Sequence, residues 1–312
     1  MTRYIGWRLF QVVPVVFGVS IVAFMLVRLI PGDPAIAILG TRATPELIAR
    51  VHDQLGLGLP LWQQYSNFLG AAIHGDFGIS FFYQTGVTDI VLPRIGVTLA
   101  LIAYATLLSL LIAVPLAAVA ASRRGGATDQ GIRLAATTSL GIPSFWLGII
   151  LLLIFSVRFR LFPIAGAGTG ALDSIWHLTL PALTIALSIS PILVRSLRSS
   201  LIEVLRADFV TTGRAAGLRA WTLRWNYVMR NSLMPLITVL SLNVGWLIGG
   251  TVVIEQVFSI PGLGSLLISS ISTRDYAIIQ LVTLVLAFVV IAVNLVTDLV
   301  YVALDPRVSL RS

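Results

Sequence analysis

The chain contains few groups that could perform chemistry, and their spacing argues against catalysis. The three histidines, His52, His74 and His177, show no H-x-x-x-H spacing, so we expect no bound metal. A Gly-x-Ser-x-Gly nucleophile elbow is absent from the sequence. All 21 basic residues are arginine, so the chain cannot supply the lysine of an ordinary P-loop. If ATP drives this protein, another subunit must bind the ATP.

Two apolar stretches carry polar side chains that could line a passage. Asn243 and Glu255 lie in one stretch, while Asn294, Thr297 and Asp298 lie in the other at steps that place them on one helical face. Polar groups within a bilayer are costly, so they mark either a passage or its gate, or hydrogen bonds between packed helices. Each residue alone favours the packing interpretation. None forms a mid-span acid pair, and we predict no catalysis by this chain.

The composition is that of an integral membrane protein. Of 312 residues 57% are hydrophobic and 11% are charged, with a mean hydropathy of +0.96, whereas a soluble domain is roughly 25% charged. The absence of cysteine excludes disulfides and thiolate metal sites. The net charge of +8 comes from arginines in short loops, which indicates membrane topology and not nucleic-acid binding.

Six apolar runs are each long enough to cross a bilayer as a helix, which takes about 20 residues. The fold class is therefore an all-α polytopic membrane protein. The fourth run contains Pro181 and Pro191, which could kink or break it. In the fifth, Gly245 and Gly249 form a GxxxG pattern that is typical of close helix packing. The runs are 9–30, 96–121, 134–157, 176–194, 235–256 and 278–303.

The distribution of arginine predicts the orientation of the chain. Six spans place both termini on one side of the membrane, and loops rich in arginine mark the cytoplasmic side. Four of the seven arginines on the opposite side lie in or beside the long segment 31–95, where this rule weakens. We therefore predict cytoplasmic termini and an external segment 31–95. The fourteen arginines on the side of the termini are Arg3, Arg8, Arg123, Arg124, Arg133, Arg195, Arg198, Arg206, Arg214, Arg219, Arg224, Arg230, Arg307 and Arg311.

The external segment is predicted to form a small cap. The sequence TPELIARVHDQLGL, residues 44–57, has the start and apolar spacing of a short helix, and HGDFGIS contains turn residues. The cap could line an entrance, dock a partner or pack over the helices. A second external segment, FSIPGLG at 258–264, predicts a tight turn. We divide the chain into residues 1–95, the first helix plus cap, and 96–312, a core of five helices.

A polar segment, residues 206–235, interrupts the apolar runs with five arginines and one acid. Leu218, Trp221, Trp225 and Val228 follow steps of three and four, which predicts an amphipathic helix. Such a helix could lie on the membrane surface, with tryptophans at the interface and arginines toward anionic headgroups.

Small residues immediately before this helix favour a different interpretation. Gly213, Ala215, Ala216 and Gly217 leave a surface with little side-chain bulk. Another protein could pack closely on that surface. A membrane anchor alone would not need it.

These residues carry a family resemblance. The order Asp-Phe-Val-x-x-Gly-Arg-Ala-x-Gly-Leu at 208–218, followed by Arg-Asn-Ser-Leu-Met-Pro at 230–235, resembles the EAA loop of ABC importer permeases. More narrowly, it resembles the B-type permease of the dipeptide, oligopeptide, glutathione and nickel uptake family. Six further segments resemble signatures of that family in the same order: LIPGDPA (29–35), GDFGIS (75–80), TLPALTIAL (179–187), IEQVFSIPGLGSLL (254–267), RDYAIIQ (274–280) and NLVTDLVYVALDPRV (294–308).

The resemblance implies a type I ABC importer permease fold and a coupling loop, 195–234, seated in a groove of a cytoplasmic ATPase. Ala216 stands where the family commonly has a basic residue and Gly213 where it commonly has alanine, which argues against an ion pair at position 216. The segment 258–264 would form part of an external gate. The implied docking residues are Asp208, Gly213, Arg214, Ala215, Ala216, Gly217, Leu218 and Arg219, and the implied path or gate residues are Asn243, Glu255, Phe258, Pro261, Gly262 and Asp298.

The resemblance also implies partners. They are a sister permease, one or two ATP-binding subunits that hold the ATP and magnesium, an external substrate-binding protein and the bacterial inner membrane. No cofactor is expected in this chain. The expected cargo is small peptides, with nickel or glutathione as alternatives within the family. An ion-coupled secondary transporter and a membrane scaffold are alternatives from other classes.

Overall fold

The computed structural model describes residues 2–29, 35–36, 43–54 and 56–304. Most of these residues are helical, and the extended ones form no β-strand beyond an isolated antiparallel bridge between Ile79 and Gly86. The helices are α1 (Thr2–Leu29), α2 (Pro45–Gln54), α3 (Leu61–Ile73), α4 (Val87–Ser122), α5 (Ala127–Ser139), α6 (Ser144–Leu151), α7 (Ala171–Val204), α8 (Asp208–Ala215), α9 (Ala220–Thr222), α10 (Arg230–Val257), α11 (Leu263–Thr273) and α12 (Tyr276–Leu304). A π-helical segment, Leu152–Arg158, extends α6, and another, Leu223–Met229, joins α9 to α10.

Among the described residues, three helical segments are long and apolar enough to cross a membrane: α4, α7 and residues 276–297 of α12. The count rises to five if α5 with α6, and the helical stretch from Ala220 to Val257, are each one bent span. Helix α1 adds a shorter apolar segment, Phe10–Leu26. The chain is thus a helical protein with three to five apolar candidate spans.

The third predicted span, 134–157, is wrong as a single helix. The chain leaves helix α5 at Ser139 and begins α6 at Ser144, and the two helical halves are bent by 104°. Gly141 and Pro143 lie in the break. Proline has no backbone N–H and disfavours the helical conformation of the residue before it, which explains why the helix stops here.

The fourth predicted span shows the opposite outcome. Helix α7 runs unbroken through Pro181 and Pro191, both of which are buried, and continues ten residues beyond the predicted end at 194. It packs against α5, α6 and α10. Neighbouring helices and serine or threonine hydroxyls can compensate the backbone groups that proline leaves unpaired, so a surrounded helix tolerates proline. Residues 195–204 of the predicted loop 195–234 thus lie in α7.

Two compact units divide the chain. One contains Met1–Thr98 and Pro261–Ile291, and the other contains Leu99–Ile260 and Ala292–Ser312. In the first unit, the start of α4 packs with α11 and α12 in a core that includes Val87, Leu263 and Ile278, all fully buried. The hydroxyl of Thr98 accepts a hydrogen bond from the Leu263 amide at 2.9 Å, which ties the start of α11 to α4.

The segment between α1 and α4 is more helical than the sequence predicted. The predicted short helix is confirmed as α2, whose Leu47 amide donates to the Thr44 hydroxyl at 3.3 Å. Helix α3 was not predicted. It contacts α1 through Tyr65, whose ring lies edge-on to Phe24 with centroids 5.2 Å apart and whose hydroxyl lies 2.7 Å from the Ser20 hydroxyl.

A buried carboxylate anchors the turn that precedes α4. Asp275, which lies between α11 and α12, is 1% exposed, and its Oδ2 accepts hydrogen bonds from the Ser80 hydroxyl at 2.5 Å and the Phe82 amide at 3.3 Å. The Ser80 hydroxyl in turn accepts a hydrogen bond from the Tyr83 amide at 3.0 Å. Within the described residues, the other carboxylate oxygen of Asp275 has no hydrogen-bond partner. One side chain thus holds residues 80–83 in place.

Asp275→Ala should destabilise the first unit, because it leaves the buried Ser80 hydroxyl and the Phe82 amide without their acceptor. Leaving such groups unpaired costs about 1–3 kcal/mol. Thermal unfolding of the detergent-purified protein measures the loss. The matched control is Asp76→Ala, which removes an exposed carboxylate that accepts a hydrogen bond from the Gly78 amide at 3.0 Å. Equal midpoints for the two variants would contradict the anchoring role of Asp275.

Candidate functional site

The loop after α7 contains one short helix that ends at a glycine-dependent turn. Helix α8 ends at Ala215, and Gly217 follows with φ +77°. The Leu218 amide donates to the Gly213 carbonyl at 3.1 Å and the Gly217 amide donates to the Arg214 carbonyl at 3.0 Å. This pair of hydrogen bonds is the Schellman motif, which needs a left-handed residue at the position of Gly217. The glycine therefore ends α8 and turns the chain toward α9.

The inner face of α8 is fixed by packing within the chain. Val210 is fully buried and Gly213 is buried. A Cβ added at Gly213 would lie 2.9 Å from Leu223 Cδ1 and 3.2 Å from Leu218 Cδ1. Gly213 therefore gives room to two leucines inside the loop and is not part of its outer surface.

The other predicted docking residues form the outer surface of the loop. Small side chains, Ala215 and Ala216, lie between two arginines, Arg214 and Arg219. Nothing within 4 Å would contact a Cβ added at Gly217. The surface thus has short side chains, leaves space for a close-packing partner and has an arginine on either side. The exposed members of the predicted set are Asp208, Arg214, Ala215, Ala216, Gly217, Leu218 and Arg219.

The predicted amphipathic helix is present, but its apolar face is divided. Trp221 and Trp225 lie side by side with ring centroids 5.2 Å apart, and they are 71% and 46% exposed. Val228 is buried, as is Leu223. From Leu223 to Met229 the chain is π-helical, so the 3.6-residue period on which the prediction depended does not hold there. Two tryptophans remain at the surface beside the docking residues.

The predicted path residues are placed differently from one another. Asn243 is half-buried and donates from Nδ2 to the Val239 carbonyl at 2.7 Å, a bond within its own helix. Glu255 is completely buried near the end of α10. The side chain of Asp298 lies outside the part of the chain that the structure describes. These placements leave the transport role of each residue a prediction.

The segment after α10 is a tight turn, as predicted. Ser259 has φ +47°, and the Ile260 amide donates to the Glu255 carbonyl at 2.8 Å. Pro261 is exposed, and Gly262 is the N-terminal cap of α11, where its amide donates to the Ser265 hydroxyl at 3.2 Å. The helix that follows, α11, was not predicted.

Phe258 is 2% exposed and packs where three helices approach closely. A Cβ added at Gly148 of α6 would lie 3.2 Å from Phe258 Cε2, 3.3 Å from Thr184 Cγ2 of α7 and 3.6 Å from Ile254 Cδ1 of α10. Gly148 therefore lets α6 lie close to α7 and α10 at this point. This role could not be predicted from the sequence, because a single glycine in an apolar run has many explanations.

Gly148→Leu should cost about 1–3 kcal/mol, the usual range for overpacking a filled core. Gly131→Leu in α5 is the matched control, because nothing lies within 4 Å of a Cβ added at Gly131. We expect the control to keep its stability or gain up to about 1 kcal/mol, because leucine forms helices better than glycine. Thermal unfolding of both purified variants tests this, and an undisturbed Gly148→Leu protein would refute the close packing.

An ion pair that the sequence did not reveal joins α5 to α7. Arg198 Nε and Nη2 donate to the two carboxylate oxygens of Asp129, each at 2.6 Å, and the Gly125 amide donates to the same carboxylate at 2.9 Å. Asp129 lies in the polar first turn of α5, before the apolar residues. The Arg198 hydrogen bond and the Gly125 amide lower the pKa of Asp129 to about 2. The carboxylate therefore stays ionised at neutral pH. Residues 69 positions apart give no local signal of such a pair.

Comparison with known proteins agrees with this architecture along nearly the whole chain. Residues 113–310 match the family described as binding-protein-dependent transport system inner membrane component, and residues 1–102 match its N-terminal family. The chain belongs to this permease family. The resemblance inferred from the loop and the six further segments is confirmed.

Three curated relatives match the permease from end to end, with 99% of each chain covered. The oligopeptide transport system permease protein AppB of Bacillus subtilis (strain 168) is 34% identical over 314 residues. The glutathione transport system permease protein GsiC of Escherichia coli (strain K12) is 34% identical over 308 residues. The dipeptide transport system permease protein DppB of the same strain is 33% identical over 335 residues.

One solved structure supports the fold of the permease. It is an inward-facing conformation of the MetNI methionine ABC transporter, with a TM-score of 0.55 and 15% sequence identity. The match covers 69% of this permease and 96% of that chain. At this identity the likeness shows the fold alone.

Proposed function

We propose that this permease is the transmembrane subunit of an ATP-driven ABC importer for di- and oligopeptides in the bacterial inner membrane. With a sister permease it forms the translocation path, and an external binding protein delivers the substrate. One or two cytoplasmic ATPase subunits hydrolyse the ATP. The observation that carries the proposal is the outer surface of the loop, where Ala215 and Ala216 lie between Arg214 and Arg219 on a helix closed by Gly217.

The proposed topology has six spans, with both termini in the cytoplasm. Five of the six come from α4, α7, α12 and the two bent helix pairs, and the sixth is α1. The excess of arginine on the side of α8 supports a cytoplasmic position for the docking loop.

Peptide import is supported by the relatives of this permease. Two of the three described above are named for oligopeptide and dipeptide transport. The relative named for glutathione transport is equally similar, so glutathione import is the second candidate. Uptake of labelled dipeptides and of labelled glutathione by the same cells distinguishes the two. An ion-coupled carrier has no support from the family match.

The docking surface is best tested at Ala215. Ala215→Arg adds bulk at an exposed position of helix α8, and arginine adopts the helical conformation without strain. Overpacking a close-fitting surface costs about 1–3 kcal/mol, so we expect about tenfold less ATPase to co-purify, with normal insertion into the membrane. Retention of the ATPase and wild-type uptake would refute the docking assignment.

Variants at Gly217 separate bulk from backbone conformation. Gly217→Arg combines added bulk with strain, because its φ of +77° is unfavourable for most residues. Asparagine tolerates this conformation better, so Gly217→Asn serves as the smaller, better-tolerated control. Ala127→Arg, at an exposed position at the start of α5, controls for the added charge.

A face of α10 offers a test of the sister permease. Leu242 and Trp246 are 76% and 80% exposed on the helix face that also carries Gly245 and Gly249. Nothing in the described chain lies within 4 Å of a Cβ added at either glycine. The described part of the chain thus supplies no close packing at this GxxxG pattern, and we propose that the sister permease packs there.

The double variant Gly245→Leu with Gly249→Leu should reduce co-purification of the sister permease, because the leucines would separate helices in contact there. The fold of this chain should be preserved, since a Cβ added at either position has no neighbour within 4 Å among the described residues. Gly96→Leu in α4, also without neighbours within 4 Å, is the control. Unchanged recovery of the sister from the double variant would place the interface elsewhere.

A further inference from the structure

A cavity of about 600 Å³ lies between the start of α5 and the last turns of α7, within the second unit. Its lining includes four arginines and one acid. Arg124 precedes α5, Arg133 lies on α5, and Arg195 and Arg198 lie on α7. The acid is Asp129. The loop predicted to dock the ATPase begins after α7, but none of its docking residues lines the cavity.

The charges of the cavity are not balanced. Asp129 is paired through both oxygens with Arg198, and this accounts for one arginine. Among the residues that the structure describes, Arg124, Arg133 and Arg195 form no salt bridge. Three guanidinium groups that face one cavity repel each other, and a bound anion would offset that repulsion. Guanidinium groups bind phosphate oxygens through paired hydrogen bonds, which makes phosphate the anion best matched to this lining.

Helix dipoles do not account for all three arginines. Arg124 follows the C-terminal end of α4 by two residues, where the helix dipole favours a positive charge. Arg133 lies within α5, and Arg195 lies nine residues before the end of α7, beyond the last turn in which the dipole acts. What the three arginines share is the cavity that they face.

The rest of the lining favours a phosphate that carries apolar chains. Val194, Ile202 and Ala136 also line the cavity. Leu134, the neighbour of Arg133 on α5, is 69% exposed. Apolar surface beside clustered arginines at the end of membrane helices is the pattern of sites for anionic lipid headgroups.

We propose that this cavity binds a phosphate group, supplied by the headgroup of an anionic phospholipid. Arg124, Arg133 and Arg195 bind the phosphate oxygens. Asp129 holds Arg198 in the wall of the cavity and repels a second anion. The apolar residues receive the first part of the acyl chains. The site is independent of the substrate that the permease transports.

The test uses the purified complex that contains this permease, stripped of lipid in detergent. Native mass spectrometry then measures binding of phosphatidylglycerol, with phosphatidylcholine of the same chains as the neutral comparison and inorganic phosphate as the free anion. The variants are Arg124→Gln, Arg133→Gln and Arg195→Gln. Arg123→Gln is the matched control, because Arg123 is exposed and next to Arg124 but does not line the cavity. Arg198 is kept, since its loss would leave the buried Asp129 unpaired.

We expect selective binding of phosphatidylglycerol, weakened about fivefold by each cavity variant and unchanged in Arg123→Gln. Binding of inorganic phosphate with the same dependence on the three arginines, and no preference for phosphatidylglycerol, would keep the phosphate site and replace its lipid source with the free anion. Equal binding of phosphatidylglycerol by all four variants would overturn the site. Cross-linking of position 133 to a partner protein, in a complex that binds neither phosphatidylglycerol nor inorganic phosphate, would also overturn the site.

Discussion

The structure depends on one constraint, that backbone N–H and C=O groups in apolar surroundings must be paired within the chain. Helices satisfy this locally, which explains why so apolar a sequence is helical over most of its described length. The helices stop where the sequence supplies another way to pair or omit these groups. Pro143 removes a donor before α6, and Gly217 closes α8 through two amide-to-carbonyl bonds. The exposed loop with its small side chains is a consequence of that closure.

The apolar runs predicted the positions of most long helices, because length and hydropathy decide whether a segment can cross a bilayer. The apolar runs did not predict whether each run forms one unbroken helix. Pro181 and Pro191 were expected to disturb α7, yet neighbouring helices surround it, whereas the run at 134–157 breaks at Gly141 and Pro143. A proline interrupts a helix only when neighbouring groups cannot pair the backbone groups that it leaves free. Whether such neighbours exist depends on the tertiary structure. Helices α3 and α11 were missed for a related reason, since short helices outside the long runs are specified by packing.

The docking loop shows a second feature that could not be predicted from the sequence alone, namely which of its small residues face a partner. The string GRAAGL suggested one low surface for a partner, but the structure assigns its residues to different tasks. Gly213 makes room for Leu218 and Leu223, and Gly217 supplies a left-handed turn. The alanines and the flanking arginines have no such internal task and are exposed to another protein. Small side chains serve internal and external packing equally well, so their spacing alone could not separate these roles.

The docking loop around α8 connects helices α7 and α10, so a partner that pulls or pushes on the loop acts on these two helices. Helix α8 is joined by the chain to α7 on one side and, through α9 and the π-helical segment, to α10 on the other. Packing of Gly213 against Leu223 holds α8 to the α10 side. Helices α7 and α10 also meet α6 at Gly148, where even a Cβ would be in tight contact with Thr184 and in ordinary contact with Ile254. A partner bound to the loop therefore acts on both helices that enclose this contact, and a close-packed contact transmits displacement because it cannot be compressed.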